Sequence, residues 1–317
     1  MILQTTRISH SGYVRCMLNV LLLLNLQPKG KNMSKRVWLV TGCSTGFGRE
    51  LVKIIAEKGE IAIGTVRKEA QVAPLESMHA GQIKGIVLDV QKQHTIDEAA
   101  QWIQEEYGRL DVLVNNAGYG TLGPIEETSE EEIHRQFDVN VYGCIRMIKL
   151  ALPFMRKQRS GHILNITSIA GLQGYPGVGI YNGSKFALEG IGEALAAEVA
   201  HLGINVTNVE PGPFRTDWAG RSATFNESSI EEYTESAAKN MDSIRSVSGN
   251  QIGDPVKAVK AMFELTTLEN PPVHFPLGAP AYKRVALKLQ ELKEEVDTFA
   301  YLGKPTDYTE EELANLD

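Results

Sequence analysis

The chain has 317 residues, of which 43% are hydrophobic and 22% charged, so it has the composition and the length to bury a globular core. A net charge of -7, without a block of Lys and Arg, argues against a nucleic-acid-binding surface. The three cysteines are odd in number and scattered, which favours reduced thiols in a cytoplasmic protein, and the histidines form no cluster that predicts a metal site.

The first 32 residues differ in character from the rest. Residues 17–26 are strongly apolar, and Arg7 and Arg15 precede them, as in a signal-like segment. No small-residue cleavage site follows, and the run is too short to span a bilayer. We favour an N-terminal extension outside the fold, with Met33 as the natural start. A membrane anchor formed by residues 17–26 is the alternative.

A glycine-rich turn follows the first predicted strand. Residues 36–41 are apolar, residues 41–48 read T-G-C-S-T-G-F-G, and a helix then begins. Strand, glycine-rich turn and helix are the context of a dinucleotide-binding site, where backbone N–H groups reach a pyrophosphate. The glycines are spaced G-x-x-x-G-x-G rather than G-x-G-x-x-G.

Predicted strands and helices then alternate. Strands are expected at 60–67, 84–90, 110–114, 162–168 and 205–210, and helices at 93–107, 130–155 and 181–201. This alternation predicts one α/β domain of Rossmann type, a doubly wound parallel sheet of about seven strands with helices on both faces. Ligands bind such sheets at the carboxyl ends of strands, where the candidate residues lie.

The end of the second strand bears on cofactor choice. A fold that binds NAD(H) needs a carboxylate there, about 20 residues past the glycines, for the ribose 2′-hydroxyl. The expected position, Val66, is apolar, and Arg67 follows it. Arg67 supplies a cation suited to a 2′-phosphate, and Ser44 and Thr45 add hydroxyl groups. The sequence therefore predicts a preference for NADP(H), with NAD(H) less favoured.

Three residues suggest acid–base chemistry. Tyr181 and Lys185 are four apart and share one face of a predicted helix. An ammonium beside a phenol favours the phenolate, so that the tyrosine can exchange a proton with a substrate oxygen. Ser168, at the end of a predicted strand, is placed to hold that oxygen.

The C-terminal third contains a polar segment and three further elements. Residues 215–253 look like a lid at the ligand edge, with Trp218, Phe225 and Tyr233 as anchors. A helix at 254–268, an edge strand at 272–278 and a helix at 279–299 follow. Residues 304–317 form an acidic tail, which leaves a domain at 33–303.

Together these motifs resemble the short-chain dehydrogenase/reductase family over about residues 35–299. The matching elements are T-G-x-x-x-G-x-G at 41–48, Asp89-Val90, N-N-A-G at 115–118, Asn140, Ser168, Y-x-x-x-K at 181–185 and P-G-x-x-x-T at 211–216. The Pro-Leu-Gly at 276–278 and the long 215–253 segment resemble the 17β-hydroxysteroid-dehydrogenase-like branch. Phe47 stands where Ile or Leu is commoner.

The resemblance implies hydride transfer between a nicotinamide cofactor and a carbonyl or alcohol. Tyr181 would be the general acid/base, Ser168 would position the substrate oxygen, Lys185 would lower the phenol pKa and bind the nicotinamide ribose, and Asn140 would hold a water. The cofactor-binding residues would be Gly42, Ser44, Thr45, Gly46, Phe47, Gly48, Arg67, Asp89, Val90, Asn116, Ala117, Gly118, Tyr181, Lys185, Pro211, Gly212, Phe214 and Thr216.

We therefore expect an NADP-dependent oxidoreductase for a hydrophobic ketone, aldehyde or steroid-like alcohol. Its partners would be the small-molecule substrate and further copies of itself, as a dimer or tetramer, with no nucleic acid and no membrane. The alternative is a catalytically silent NADP-sensing module on the same fold, which loss of Tyr181 or Lys185 would have favoured.

Overall fold

A computed structural model describes residues 35–315, and the described residues from Arg36 onward form one compact unit. Its centre is a seven-stranded sheet in which every pairing is parallel. The strand order is β3-β2-β1-β4-β6-β7-β9, so the order reverses next to β1, as in a doubly wound Rossmann-type fold. The predicted fold class is confirmed. The strands of this sheet are β1 Val37–Val40, β2 Ile61–Val66, β3 Ile83–Val87, β4 Val112–Asn115, β6 Gly161–Ile166, β7 Ile204–Pro211 and β9 His274–Leu277.

Helices cover both faces of this sheet because its strands are apolar on both sides. One buried cluster joins the sheet to the first helix and the helix before β9, and a second cluster lies on the opposite face. The α-helices are α1 Gly46–Glu57, α2 Val72–Glu76, α3 Gln93–Glu106, α4 Glu130–Phe137, α5 Gly143–Gln158, α6 Gly179–Val199, α7 Lys239–Ser246, α8 Pro255–Leu265, α9 Ala279–Gly303 and α10 Glu310–Ala314.

The predicted helix at 130–155 is wrong in one respect, because it is not continuous. A π-helix, Asp138–Tyr142, separates α4 from α5. A π-turn inserts one extra residue into the i→i+4 ladder and redirects backbone carbonyls, and the local sequence has no Pro to signal it. The break places Asn140 in the π-helix, where its side chain is fully buried.

The segment 215–253 is a folded layer over the carboxyl edge. It contains β8, Ala223–Phe225, which pairs in parallel with β5, Gly120–Leu122, in a second small sheet. It also contains a π-helix, Thr234–Ala238, and α7. At its base Phe214 forms a β-bridge with Gly253, so both ends of the segment are joined. That it acts as a lid stays a prediction.

The C-terminal part agrees with the predicted edge strand, since β9 lies at the edge of the sheet beside β7. The last long helix, α9, continues to Gly303, beyond the predicted end at 299. No helix among residues 35–315 is long and apolar enough to cross a membrane. The predictions made for residues 1–32 lie outside the described residues.

Candidate active site

The glycine-rich turn between β1 and α1 adopts a conformation that its glycines permit. Gly42 and Gly46 have positive φ values of 72° and 60°, which other residues rarely adopt. A Cβ at Gly48 would lie 2.6 Å from the Asn116 side chain and the Gly42 carbonyl. Gly48 can therefore lie close to the Gly42 backbone and the Asn116 side chain. The backbone N–H groups at the start of α1 are left open and can bind a ligand.

Within residues 35–315, no side chain caps the N-terminus of α1. Thr45 precedes the helix without capping it through its side chain, and the first turn contains no acidic residue. Thr45 Oγ1 instead accepts a hydrogen bond from Arg221 at 2.6 Å. Ser44 lies partly exposed in the same turn. Free N–H groups and a nearby guanidinium suit a phosphate ligand.

The end of β4 is joined to this turn through Thr41. Its hydroxyl accepts hydrogen bonds from the backbone N–H groups of Asn116 and Ala117, both at 2.9 Å. Asn116 Nδ2 in turn donates to the carbonyls of Thr41 and Gly42 at 2.8 and 3.1 Å. Two of the predicted cofactor-binding segments thus form one rigid edge.

The end of β2 presents Arg67 to solvent. Val66 is 2% exposed and packs in the core beside the glycine-rich turn, whereas Arg67 is exposed. Among the described residues, Arg67 makes no hydrogen bond or ion pair. Its guanidinium is therefore available to a ligand at the edge formed by residues 41–48.

Asp89 and Val90 lie just after β3, two and three residues past its last paired residue, Val87. Asp89 Oδ1 accepts from the N–H of Gln91 at 3.1 Å, and the Asp89 N–H donates to Thr95 at 3.1 Å. Val90 packs against Gly143, where a Cβ would lie 2.8 Å from its side chain. Both predicted residues are held firmly at the carboxyl edge.

Tyr181 and Ser168 come together at the centre of this edge. Ser168 follows β6, and Tyr181 lies in the first turn of α6, where the residue is 7% exposed. Burial raises the pKa of the phenol, and a hydrogen bond with Ser168 lowers it by a smaller amount. Within the chain alone, burial of the ring dominates the pKa of Tyr181, and the predicted lowering by Lys185 is not seen.

Lys185 lies one turn after Tyr181, with its ammonium 5.7 Å from the centroid of the phenol ring. Nζ donates to the Ile166 carbonyl at 2.8 Å and burial lowers its pKa to about 8. A Cβ at Gly118 would lie 3.8 Å from Nζ and 3.1 Å from Asn140 Oδ1. Gly118 therefore keeps open the space between the ammonium and the end of β4.

Asn140 ties the loop after β4 to α6. Its Nδ2 donates to the Tyr119 carbonyl at 3.0 Å and to Ser184 Oγ at 3.2 Å, and its Oδ1 accepts from the Tyr119 N–H at 3.1 Å. These three contacts fill the side chain's main hydrogen-bonding capacity. That Asn140 holds a water stays a prediction.

The segment after β7 closes the edge from the other side. Phe214 packs edge-on against Phe47 with ring centroids 5.3 Å apart, and Thr216 lies against Gly46. Pro211 pairs with Leu277 in the sheet, and the Gly212 N–H donates to the Leu277 carbonyl at 3.0 Å. The structure thus gathers the predicted motifs at one edge.

Apolar side chains cover Tyr181. Trp218, from the 215–253 segment, lies with its ring centroid 5.1 Å from that of Tyr181. A Cβ at Gly120 would lie 2.7 Å from the Trp218 ring. The cluster around Tyr181 consists of Leu122, Ala170, Tyr175, Val178, Trp218, Ala223, Phe225, Met241 and Ile244. Such a surface suits an apolar substrate.

One cluster of titratable groups was not predicted from the sequence. His274 Nδ1 lies 2.8 Å from Glu210 and 3.3 Å from Glu189, and its Nε2 lies 2.8 Å from Glu193. Burial and the charge of Glu189 raise the pKa of Glu210 to about 7. Two strands and a helix bring these residues together, and no local spacing could have indicated it.

This fold and edge define a nucleotide-binding oxidoreductase of Rossmann type. Residues 36–227 match the family model of the short chain dehydrogenases, and the chain belongs to that family. A 3-ketodihydrosphingosine reductase from Bacteroides thetaiotaomicron is 37% identical over 247 residues, 78% of this chain and 89% of that protein. Human retinol dehydrogenase 8 is 40% identical over 191 residues, 59% of this chain and 61% of that protein.

Solved structures agree with the fold. A short-chain dehydrogenase from Streptomyces avermitilis superimposes with a TM-score of 0.82, at 36% identity over 87% of this chain and all of that one. ElxO, solved with NADP bound, has a TM-score of 0.64 at 26% identity, over 77% of this chain and 97% of that one. A short chain dehydrogenase/reductase from Burkholderia phymatum, solved in complex with NAD, shares the fold with a TM-score of 0.73 at 23% identity. The match covers 84% of this chain and 97% of that one.

Proposed function

We propose that the chain is an NADP(H)-dependent oxidoreductase that interconverts a carbonyl and a primary or secondary alcohol. The observation that carries this proposal is the proximity of two hydroxyls, those of Tyr181 and Ser168, at the edge that also presents the glycine-rich turn. A phenol there can pass a proton to the substrate oxygen while Ser168 holds that oxygen. The cofactor, when bound, donates or accepts the hydride.

Lys185 contributes a buried positive charge. With one described hydrogen bond, to the Ile166 carbonyl, its ammonium has donors left for a ribose hydroxyl. A pKa of about 8 keeps it largely protonated at neutral pH. Binding a hydroxyl between Lys185 and Tyr181 would extend the ammonium's influence toward the phenol.

The cofactor preference rests on Arg67. A 2′-phosphate at the ribose needs a cation and the absence of a carboxylate, and the end of β2 provides Arg67 and the buried, apolar Val66. The pyrophosphate would lie on the uncapped N-terminus of α1. Among the structural relatives, both NADP and NAD occur.

The substrate we propose is a hydrophobic ketone, aldehyde or steroid-like alcohol. Support comes from the apolar cluster around Tyr181, which includes Trp218 and Met241. The names of two relatives, a ketodihydrosphingosine reductase and a retinol dehydrogenase, are those of enzymes for a ketone and an alcohol. A cytoplasmic location is proposed from cysteine usage, and the described Cys43 and Cys144 are free buried thiols.

The test is Tyr181→Phe, assayed after a screen of NADPH consumption over ketosteroids, retinal, quinones and small aromatic ketones. Turnover should fall by at least about 100-fold because general acid catalysis is lost, while NADPH binding, followed by fluorescence titration, stays nearly unchanged. Tyr175→Phe is the matched control, since that phenol lies in the same cluster and its oxygen has no described partner. Near-normal turnover in Tyr181→Phe would refute the assignment.

A further inference from the structure

Helix α9 carries an apolar stripe that the domain leaves largely uncovered. The helix has 25 residues, of which only Ala281 is buried. Leu289 is 64% exposed, Leu292 48%, Val296 62% and Phe299 58%. A row of exposed large apolar side chains on one helix is costly in water and marks an interaction surface.

The spacing of this stripe is that of a coiled coil. Its members follow one another at intervals of three, four, three, four and three residues, the alternation of a and d positions in heptads. We call them the α9 seam: Tyr282, Val285, Leu289, Leu292, Val296 and Phe299. Val285 is half-buried against the domain. At 1.5 Å per residue the seam is about 26 Å long.

The charges of α9 are segregated along its axis. Lys283, Arg284 and Lys288 lie in its first half, which contains no acid. The second half has four acids against one lysine: Glu291, Glu294, Glu295, Asp297 and Lys293. Two copies side by side in the same direction would place like charges together, whereas antiparallel copies would place opposite charges together.

We infer that α9 pairs with α9 of a second copy of this chain, in an antiparallel two-fold coiled coil. A two-fold axis between Gln290 and Glu291 brings every seam residue opposite another, so the register closes on itself. The opposing pairs are Leu289 with Leu292, Val285 with Val296, and Tyr282 with Phe299 of the second copy.

The residues that flank the seam fit the same register. Lys288 and Glu295 occupy equivalent flanking positions one heptad apart. In the antiparallel arrangement Lys288 lies beside Glu295 of the second copy, twice by symmetry. In a parallel pair Lys288 would face Lys293 of the second copy, and the two ammonium groups would repel each other.

A membrane surface is the competing occupant, and the charges of α9 disfavour it. Helices that bind membrane surfaces carry Lys and Arg along the polar face, which anionic lipids attract. Here acids equal bases along the helix, and its C-terminal half is acidic. The acidic α10 follows, with Glu310, Glu311 and Glu312 in its first turn.

The experiment measures the mass of the full chain by sedimentation equilibrium over a range of concentrations. Leu292→Glu should raise the dissociation constant of the dimer by at least about 100-fold, since a carboxylate enters the centre of the seam twice. If the parent chain is a tetramer, Leu292→Glu should halve the mass of the assembly. Leu287→Glu is the matched control, because Leu287 is exposed on the same helix but lies off the seam. It should leave the mass unchanged.

A charge swap tests the direction of pairing. Lys288→Glu and Glu295→Lys should each weaken association by about tenfold, and the double variant should restore it, because both ion pairs re-form with reversed sign. Circular dichroism of each variant confirms that the helix content is kept. A monomeric parent chain, equal effects of Leu292→Glu and Leu287→Glu, or no rescue by the double variant would overturn the inference. So would binding of anionic vesicles by a chain that stays monomeric.

Discussion

Replacing Arg67 by Ala should convert a clear NADP(H) preference into near-equal use of the two cofactors. Arg67 is exposed at the end of β2, next to the buried Val66, and has no hydrogen-bond or ion-pair partner within residues 35–315. Its removal therefore breaks no hydrogen bond or ion pair among the described residues. The loss of affinity measures its interaction with the 2′-phosphate alone.

The magnitude follows from what a charged hydrogen bond contributes. A hydrogen bond to a charged group is worth about 1.5–3 kcal/mol. At about 1.4 kcal/mol per tenfold change, Arg67→Ala should weaken NADP(H) binding by about 10- to 100-fold. NAD(H) has no 2′-phosphate, so its affinity should hardly change. The exposed position allows salt to screen the interaction, so the effect should shrink as ionic strength rises.

The assay is titration of each reduced cofactor by fluorescence, at low and at high salt, for the parent chain and the variant. Lys68→Ala is the matched control, because Lys68 is the next residue and is also exposed. Equal affinity of the unmodified enzyme for both cofactors would refute this interpretation of the end of β2. So would an Arg67→Ala variant with an unchanged preference, or a Lys68→Ala variant with the same loss.

Three further predictions concern the stability of the domain and the 215–253 segment. Because the pKa of Glu210 is raised from 4.5 to about 7, its contribution to stability is complete below pH 4.5 and is lost as the pH rises through 7. The free energy of unfolding by urea should fall by up to about 3 kcal/mol between pH 5 and pH 8 through this group. Glu210→Gln should reduce that fall, and a variant with the same pH dependence as the parent chain would contradict the assignment. A chain that starts at Met33 should match the full chain in melting temperature and specific activity, and a large loss in either would show that residues 1–32 stabilise the domain. Trp218→Ala removes the ring beside Tyr181 and should raise KM for apolar substrates by about tenfold, as for a lost hydrophobic contact, whereas Tyr233→Ala, further out on the same segment, should not; equal effects would argue against a lid built on Trp218.

The central sheet could be predicted because each of its strands is a short apolar run between turn or helix signals. The small sheet of β5 and β8 could not. Its strands have three residues each, and Gly120 pairs with Ala223 across a long stretch of chain. Pairing of this kind depends on where the rest of the fold brings the two segments, and neither segment has a periodic pattern of its own.

The candidate site was predictable to a similar degree, and for a different reason. Motifs that end strands of a parallel sheet must meet at one edge, so the convergence of Ser168, Tyr181 and the glycine-rich turn followed from topology. The pKa values of the site residues did not follow from the topology. The spacing of Lys185 and Tyr181 indicated a lowered phenol pKa, whereas burial raises it, and burial depends on Trp218 and its neighbours in a distant segment.

A row of buried, hydrogen-bonded amides shows how the sheet fixes the position of α6, the helix that carries Tyr181 and Lys185. Asn115, Asn165 and Asn208 are in register across β4, β6 and β7. Their side chains are hydrogen-bonded in sequence at 3.0 and 3.1 Å. Asn208 Nδ2 then donates to the Glu189 carboxylate at 2.8 Å and its backbone carbonyl at 3.0 Å. Glu189 lies one turn beyond Lys185 on α6.

Because a buried amide without partners is costly, this row of amides tolerates only one register. A slip of one residue in any of the three strands would turn its asparagine to the opposite face and leave the neighbouring amides unpaired. Gly192 lets α6 approach the row of amides, since a Cβ there would overlap with the Asn208 side chain. The hydrogen bonds of these three asparagines therefore help to fix where α6, and with it Tyr181, lies relative to the ends of the strands. The asparagines occupy buried strand positions, where the sequence pattern would favour apolar residues.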